Sequence, residues 1–439
     1  MNRRTFMQKT GLIMSGLTLS PLIGKSYSSI YGQTAPSNKV KVALIGCRSM
    51  GYGDLNTFLD YPETECVALC DVDDEWLNKR AADVEKKTGK KVPHLYKDWR
   101  RVIDNKDVDV VIIGTPDHWH CLPTVWACQA GKDVYVEKPL SNTIEECNLM
   151  EKAARKYNRI VQVGQWQRSD PHWQDAMQFV HSGQLGKIRT VRVFSYQGWC
   201  PSIPVKPDEA VPAGVDYDMW LGPAPKRPFN RNRFHFTFRW FWDYAGGLMT
   251  DWGVHLLDYA LYGMNVTAPE SIMASGGKFG YPDDACETPD LLQTIYTFKD
   301  FTVMWDHAIG IDDGAYGRNH GLGFVGENGT LVIDRGGWEV IPEKVNGQAR
   351  MEAVPLKKSY GEGGLNLHAK NHLECIKSRN RNCNASVEIG AHIAKFSQLG
   401  NIAYCTGKKL SWDGKRFHDT EADKLLCKEY RAPWELPKI

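Results

Sequence analysis

The chain has 439 residues, of which 42% are hydrophobic and 24% charged, a composition typical of a globular protein. Its length corresponds to about two to three domains. The formal net charge is only +2 and no block of Lys and Arg is present, which argues against a nucleic-acid-binding protein. No apolar run is long enough to predict a membrane span.

Residues 1–35 are predicted to be an export signal. Arg3 and Arg4 are followed by Phe6 and then by a weakly apolar run at residues 11–24. A charged start and a short apolar run are typical of a secretory signal. The paired arginines resemble the twin-arginine type of signal. We therefore expect a periplasmic or otherwise exported protein, one that crosses the membrane folded and can carry a cofactor loaded in the cytoplasm.

The twelve cysteines do not form a disulfide or metal-binding pattern. No CxxC is present, and Cys66 and Cys70 lie in one predicted strand, about 13 Å apart at the usual rise per residue. That separation is beyond the reach of a disulfide. The cysteines are therefore predicted to be small core residues, and no metal site is predicted.

Five apolar runs after the signal predict the strands of a parallel sheet. These strands end near residues 45, 71, 115, 137 and 165, and helical patterns lie between them. Strands alternating with helices indicate βαβ units, so residues 36–165 are predicted to form a Rossmann domain. A helix is predicted at residues 54–59. Ligands of such sheets bind at the carboxyl ends of the strands.

The turn after the first strand is an altered dinucleotide-binding turn. Gly46 and Gly51 stand at its first and third glycine positions, but Arg48 replaces the second glycine. Arg48 is predicted to bind a phosphate at the start of a helix, the alternative being a solvated arginine in a turn. Asp71 lies 20 residues after Gly51, where an acid accepts the ribose hydroxyls, which predicts NAD rather than NADP.

Four later segments make the pattern more specific. They are GTPDHWH at residues 114–120, VEKPLS at 136–141, DYDMWLGPAP at 216–225 and GGLMTDWGVHLLD at 246–258. From about residue 38 to its end, the chain thereby resembles the glucose–fructose oxidoreductase, inositol dehydrogenase and rhizopine catabolism family (Gfo/Idh/MocA). The resemblance implies an α/β fold, in which an N-terminal Rossmann parallel sheet precedes an α+β domain at residues 166–439 with a large open, mainly antiparallel sheet. It also implies bound NAD or NADP, a carbohydrate substrate and a homo-oligomer, either a dimer or a tetramer.

The resemblance assigns the catalytic roles to Lys138, Asp251 and His255. Histidine titrates near neutral pH and can take the proton of a sugar hydroxyl. Asp251 and His255 are four residues apart, which on one helix places them on the same face. The alternatives are a solvated lysine and a histidine packed in the core.

The remaining predicted contacts follow from the strand ends and the same resemblance. The predicted cofactor contacts are Gly46, Arg48, Ser49, Met50, Gly51, Asp71, Thr115, Pro116, His120, Glu137, Lys138 and Gln165. The predicted substrate contacts are Trp166, Arg168, His235 and Arg239. Asp117 replaces an Asn that is frequent in the family. Residues 229–244 interleave aromatic rings with arginines, which suits either carbohydrate or a core or oligomer contact.

Two classes of chemistry remain open at this stage. One is a plain sugar dehydrogenase. The other is a redox-neutral enzyme with retained NAD, which either exchanges hydride between sugars or cleaves glycosides by oxidation, elimination, addition and reduction. Export favours the redox-neutral class, because no NAD pool outside the cytoplasm would regenerate the cofactor, whereas residues 251–255 match the dehydrogenases. A catalytically inactive sugar-binding protein is disfavoured because Lys138 and His255 are both present.

Overall fold

The computed structural model describes residues 39–361 and 363–439, so the predicted signal lies outside the described residues. The strands are β1 (Val40–Ile45), β2 (Thr64–Cys70), β3 (His94–Tyr96), β4 (Val110–Ile113), β5 (Asp133–Val136), β6 (Val161–Val163), β7 (Thr190–Gln197), β8 (Ser271–Gly277), β9 (Leu291–Thr297), β10 (Thr302–Ile309), β11 (His320–Val325), β12 (Gly329–Asp334), β13 (Gly337–Pro342), β14 (Lys344–Val345), β15 (Gln348–Ala349), β16 (Val354–Lys358) and β17 (Leu410–Ser411). The helices are α1 (Ser49–Phe58), α2 (Asp74–Thr88), α3 (Arg100–Asp104), α4 (Cys121–Gln129), α5 (Ile144–Lys156), α6 (Pro171–His181), α7 (Tyr217–Leu221), α8 (Gly247–Asp251), α9 (Gly253–Met264), α10 (Gly364–Ser378), α11 (Val387–Thr406) and α12 (Thr420–Lys424).

The first sheet is parallel and has the strand order β3-β2-β1-β4-β5-β6. Its central strands are apolar on both faces, because helices cover both sides of such a sheet. Val42, Leu44 and Ile112, for example, are completely buried. This order confirms the predicted Rossmann sheet. The predictions missed β3, which is only three residues long and partly exposed, so that it lacks an apolar run.

The helix after β1 begins earlier than predicted. The predicted span was residues 54–59, whereas α1 begins at Ser49 and includes Gly51 and Gly53. Glycines weaken an isolated helix, and for this reason the helix start was predicted too late in the chain. In the protein, α1 is held by its packing against the strand ends, and Leu55 and Phe58 are buried beneath it.

The second sheet has nine strands in the order β16-β13-β12-β11-β7-β10-β9-β8-β17. Only the central pair, β7 and β10, is parallel, and the other neighbours are antiparallel. Alternate residues of β9 and β10 are buried, as expected for a sheet covered on one face. Helices α6, α9 and α11 cover that face, where Trp305, Tyr296 and Phe396 are buried. The predicted fold class is therefore confirmed.

The C-terminal helices also pack on the first sheet. Ala369 and Leu373 of α10 share an apolar cluster with Phe58 and the α1 side of the sheet. Ala391 of α11 packs in a cluster on the other face. Helix α11 thus contacts both sheets, since it also packs on β8 and β9 of the second sheet.

All twelve cysteines lie in the described part of the chain and carry free thiols. Nine of them are buried, and only Cys405 is exposed. Burial raises the pKa of the Cys66, Cys128 and Cys147 thiols to about 12. The prediction that most cysteines are core residues agrees with these positions. No helix in residues 39–361 and 363–439 is long and apolar enough to cross a membrane.

Candidate active site

Three glycines form a close junction at the carboxyl ends of β1 and β4. Gly46 has a φ of +88°, and a Cβ there would lie 2.7 Å from the Gly114 carbonyl carbon. A Cβ on Gly51 would lie 2.2 Å from the Gly46 oxygen, and one on Gly114 would lie 2.3 Å from the Gly51 Cα. Only hydrogen fits at these positions, so the turn, α1 and β4 meet backbone to backbone. The sequence predicted the first two glycines as cofactor contacts. Gly114, the first residue of the GTPDHWH segment, had no predicted role.

Arg48 rests on a tryptophan of α2. Its backbone is extended, with φ −93° and ψ 164°, and its Cζ lies 4.4 Å from the centre of the Trp76 ring. The positive φ of this turn falls on the next residue, Ser49, at +43°. Burial lowers the pKa of Arg48, and the charge of Asp71 opposes that shift. The predicted phosphate contact stays a prediction, and both Arg48 and Trp76 line the cavity described below.

Asp71 is held by the turn that it follows. Its carboxylate accepts hydrogen bonds from the backbone NH of Cys47 at 2.6 Å and of Asp73 at 3.0 Å. Burial raises the pKa of Asp71 to about 6, although these hydrogen bonds oppose the shift. The carboxylate is thus fixed at the end of β2, beside the glycine turn, where an acid meets the ribose of a dinucleotide.

A segment of the second domain crosses the cleft at this end of the first sheet. Val215 forms a β-bridge with Asp73, and the Asp74 and Asp216 NH groups donate to the oxygens of Gly214 at 3.1 Å and Val72 at 2.9 Å. His235 Nε2 lies 2.8 Å from Asp73 Oδ2. We call these contacts the cross-domain bridge. His235 is therefore at the Asp71 end of the cleft, and its predicted contact with substrate remains untested.

A cavity of about 400 Å³ runs from the glycine junction to Lys138. Its walls include Gly46, Arg48, Ser49, Met50, Asp71, Trp76, Thr115, Pro116, Asp117, Glu137, Lys138, His235, Phe236, Arg239 and Asp251. Most of the predicted cofactor residues are thus brought together in one cleft. The glycine junction leaves no Cβ in the way, α1 supplies a helix N-terminus, and Asp71 supplies a carboxylate, so these residues fit NAD.

Two predicted cofactor residues take other positions. His120 has Nδ1 2.7 Å from the Pro139 oxygen and Nε2 2.8 Å from the Thr115 oxygen. Burial lowers its pKa to about 4, so the neutral ring ties the two strand-end loops together. Gln165 is 1% exposed, and both polar atoms of its side chain lack a hydrogen-bond partner in the described residues. It follows Gly164 after the end of β6, and Gly164 is the residue that lies against Glu137.

Lys138 and Asp251 form the charged end of the cavity. Lys138 Nζ lies 2.7 Å from Asp251 Oδ1 and 3.1 Å from the Asp251 backbone oxygen. Arg239 Nε lies 3.5 Å from the other carboxylate oxygen. Burial alone would raise the pKa of Asp251, but the charges of Arg239 and Lys138 hold it below its ordinary value. The carboxylate is therefore ionised and fixes the Lys138 ammonium in place.

The spacing of Asp251 and His255 predicted that they lie on one continuous helix, but they lie on two. Helix α8 ends at Asp251, Trp252 forms a turn, and α9 begins at Gly253. His255 is 6% exposed, and its Nδ1 has no partner in the described residues. Burial, together with the charges of Lys138 and Arg335, lowers the pKa of His255 well below its ordinary value. The imidazole is thus neutral.

Two acidic side chains beside Lys138 have raised pKa values. Burial raises the pKa of Asp117 to about 7, and the Lys138 charge opposes the shift. Burial also raises the pKa of Glu137 to about 7. The buried Asp54 of α1 lies beside Glu137, and burial and the Glu137 charge raise its pKa well above the ordinary value. Asp54 was not predicted to be a site residue, because a single acidic residue in a helix forms no recognisable sequence pattern.

The predicted substrate residues divide between the cleft and the core. Arg239 lines the cavity and lies 4.1 Å from the Phe236 ring. Arg168 is instead committed to Asp258, with Nε 2.8 Å and 3.0 Å from its two oxygens, which argues against its predicted contact with substrate. Most rings of residues 229–244 pack in one apolar cluster with Trp220, so the core alternative holds for them.

Trp166 belongs to a group that the sequence did not predict. The Cζ of Arg335, in the turn between β12 and β13, lies 5.0 Å from the Trp166 ring and 4.6 Å from the Trp252 ring. The His320 ring, on β11, also packs against Trp252, with the two ring centres 4.8 Å apart. These residues come from distant segments, so no local pattern could have indicated the group. In residues 39–361 and 363–439, no cluster of His, Cys, Asp and Glu is arranged to hold a metal ion.

The Rossmann sheet, the glycine junction and the Lys138–Asp251 pair define a dinucleotide-binding protein with an acid–base site. Residues 40–165 match the family model described as "Oxidoreductase family, NAD-binding Rossmann fold". Residues 163–304 match the C-terminal alpha/beta domain of the same family. The chain belongs to the Gfo/Idh/MocA oxidoreductase family. This membership confirms the predicted oxidoreductase class and NAD as the cofactor.

Among curated proteins, the chain is similar to glycosyl hydrolase family 109 proteins. It is 29% identical over 182 residues to such a protein of Shewanella sp. (strain ANA-3), which is 37% of this chain and 39% of the relative. A second, from Shewanella baltica (strain OS155), is 29% identical over 162 residues, 33% of this chain and 35% of the relative. The chain thus matches about two fifths or less of the length of these relatives.

Solved structures share the whole two-domain fold. The aldose-aldose oxidoreductase of Caulobacter crescentus, complexed with glycerol, superposes with a TM-score of 0.63 at 20% identity over 85% of this chain and 100% of that one. A levoglucosan dehydrogenase in complex with NADH gives a TM-score of 0.64 at 19% identity, covering 85% and 99%. At this level of identity, the likeness concerns the fold.

Proposed function

We propose that the protein is an exported sugar oxidoreductase that moves hydride between a sugar carbinol and a tightly held NAD, and returns it within the same cycle. The observation that carries the proposal is the Lys138–Asp251 pair at one end of a cavity that has the glycine junction and Asp71 at its other end. His255 does not line this cavity, but it is close enough for the charges of Lys138 and Asp251 to act on its pKa. When bound, NAD supplies a hydride acceptor. Gly46, Ser49, Met50, Gly51 and Asp71 would hold it.

The residues at the Lys138 end divide the proton chemistry between them. The neutral His255, with Nδ1 unbonded, takes the proton of the sugar hydroxyl as the carbinol is oxidised. Lys138 donates to Asp251, and its positive charge stabilises the alkoxide that forms next to it. Asp251, kept ionised by Arg239 and Lys138, prevents the ammonium from turning away.

Retention of NAD is supported by the cross-domain bridge and by the N-terminal sequence. The bridge ties residues 214–216 and His235 to the loop after β2, across the end of the cleft that Asp71 occupies. A twin-arginine-type signal would export the folded protein with its cofactor in place. An enzyme outside the cytoplasm needs such retention, because no NAD pool regenerates a released cofactor there.

The second candidate is an NAD-dependent glycoside hydrolase. Its support is the similarity to the glycosyl hydrolase family 109 proteins, which covers 37% of this chain in the Shewanella sp. (strain ANA-3) relative. In that route, oxidation at C3 acidifies the C2 proton, the aglycone leaves, water adds and hydride returns. His255 would then also remove the C2 proton.

The test begins with purified protein to which no cofactor is added. Mass spectrometry after heat denaturation should release NAD, and its redox state shows where the cycle rests. Repeated turnover on aryl glycosides or on pairs of sugars without added NAD is expected, and His255→Ala should slow it by about 10²–10⁴-fold. Strict dependence on added NAD, at one turnover per NAD, contradicts the redox-neutral cycle. Deuterium at C2 after reaction in deuterated water identifies the glycosidase. Turnover without it indicates hydride exchange between sugars or direct hydrolysis.

The protein is also proposed to assemble as a dimer or tetramer. The uncovered face of the nine-stranded sheet carries exposed apolar residues, among them Met273 of β8 and Met304 of β10, at 45% and 38% exposure. Light scattering after gel filtration should give a mass of two or four chains, and a monomer at micromolar concentration would contradict this proposal.

A further inference from the structure

Arg335 is a cation enclosed by two tryptophans near the proposed catalytic residues. It lies in the turn between β12 and β13 and is partly buried. The Trp166 and Trp252 rings lie 5.0 Å and 4.6 Å from its Cζ. Cation–π contacts of this kind hold a guanidinium in place, but they do not neutralise its charge.

No carboxylate of the described residues lies within 4.0 Å of the Arg335 guanidinium to pair with it. Its Nε donates to Gln167 Oε1 at 3.1 Å, which is a neutral acceptor. The adjacent Asp334 pairs instead with Arg318, 3.0 Å away. Burial lowers the pKa of Arg335 to about 10, the cost of holding a charge without an acid. Enclosed charges in proteins are normally paired, and this one has no acidic partner among the described residues.

The position of Arg335 joins it to the proposed active site. Trp252, which contacts the guanidinium, follows Asp251 directly, and its ring centre is 6.2 Å from that of His255. The charges of this region are also unequal. Lys138, Arg239 and Arg335 are cations, and Asp251 is held in its ionised form. The other two acids beside Lys138, Asp117 and Glu137, carry less negative charge, because burial raises the pKa of each to about 7.

We propose that Arg335 binds the anionic substituent of an acidic carbohydrate, a carboxylate or a sulfate ester. A guanidinium forms two parallel hydrogen bonds with either group, and the excess positive charge around Asp251 favours both. The inference rests on the proposed function and gives its substrate class. The alternative is that Arg335 only supports Trp252, and thereby His255.

The test measures binding to the full-length, NAD-loaded protein by calorimetry. The probes are glucuronate and galacturonate, the matched neutral sugars glucose and galactose, and their 6-sulfates. The acidic sugars should bind at least about tenfold more tightly than the neutral ones. Arg335→Gln should weaken their binding by about 10- to 100-fold, the size expected for hydrogen bonds to a charged group, and leave the neutral sugars within about twofold. A preference for uronates or for sulfates identifies the group that is bound.

The control is Arg189→Gln, which removes the same charge from a side chain that is 70% exposed. It should leave all affinities unchanged. Arg335→Lys keeps the charge without the fork and should retain an intermediate preference for acidic sugars. Tighter binding of neutral sugars by the wild type, or equal losses for both classes in Arg335→Gln, would overturn the inference. Failure of the proposed function is a separate result, because it would be seen as sugar binding without reduction of the bound nicotinamide.

Discussion

Asp251 balances two cations at once, since Lys138 lies 2.7 Å and Arg239 3.5 Å from its two carboxylate oxygens. Both members of the Lys138 pair are mostly buried, at 14% and 15% side-chain exposure. Breaking a buried pair is costly because the remaining charge loses both its partner and water. The carboxylate is thus as important for folding as for positioning the ammonium.

Asp251→Asn should therefore lower the free energy of unfolding by about 3–5 kcal/mol, because two facing cations remain. Lys138→Met should cost less, since Arg239 still balances Asp251. Urea denaturation of both variants with and without NAD measures this difference. An equal or larger loss in Lys138→Met would show that Arg239 does not share the charge of Asp251.

Arg48 has two ways to bind NAD, a phosphate contact that does not need Trp76 and a contact made while it is stacked on the Trp76 ring. Substitution of Trp76 distinguishes them. If Arg48 binds a phosphate, Arg48→Ala should weaken NAD binding by about 1.5–3 kcal/mol, and Trp76→Leu should leave it nearly unchanged. If Arg48 acts from its place on the Trp76 ring, both variants should weaken binding together. Fluorescence titration with NAD distinguishes the cases. Unchanged affinity in Arg48→Ala would mean that the arginine faces solvent only.

At the scale of elements, the junction of α1 with β1 and β4 requires glycine at positions 46, 51 and 114, where a Cβ does not fit. Gly114→Ala would bring a Cβ to 2.3 Å from the Gly51 Cα, so α1 must shift and its N-terminus with it. We expect a loss of NAD affinity of at least tenfold together with lower stability. Gly53→Ala is the matched control, because its Cβ meets nothing closer than the Met50 side chain at 4.0 Å and alanine favours a helix. Equal NAD affinity in the two variants would contradict the role given to the junction.

The cross-domain bridge should control how long NAD stays bound. His235→Ala removes the 2.8 Å contact with Asp73 and should raise the NAD dissociation rate by about tenfold, or about 1.4 kcal/mol. The release of bound NAD into excess unlabelled NAD measures this rate. His418→Ala is a close control, because His418 also has a positive φ and contacts an aspartate, Asp413, at 2.7 Å on an exposed surface. A similar rate in both variants would show that the bridge does not retain the cofactor.

At the scale of the whole molecule, stability should depend on the proton held by Asp117. Its folded pKa is about 7, above the ordinary 3.8, because burial favours the neutral acid. This proton stabilises the fold fully below the ordinary pKa, and the contribution is lost as pH rises from about 4 to about 7. The stability of the wild type relative to Asp117→Asn should therefore fall over that range in urea denaturation. The exposed Asp107→Asn serves as the control, and a constant difference for Asp117→Asn would contradict the raised pKa.

The sequence predicted those parts of the molecule that local patterns encode. Strand β1 is a continuous apolar run, and the glycines of its turn have a fixed spacing, so both could be placed. The break at Trp252 could not, because the spacing of Asp251 and His255 suits a continuous helix equally well. Arg335 lies between tryptophans 169 and 83 residues before it, and such contacts leave no periodic signal.

The buried thiols bear on whether the chain folds before or after it is exported. If the unfolded protein met an oxidising compartment, nine reactive groups that are sequestered in the fold would be open to incorrect cross-linking. If it arrives folded, Cys405 alone is readily reached. The rate at which a thiol reagent modifies the nine buried thiols then reports how often the molecule opens, and NAD should slow that rate.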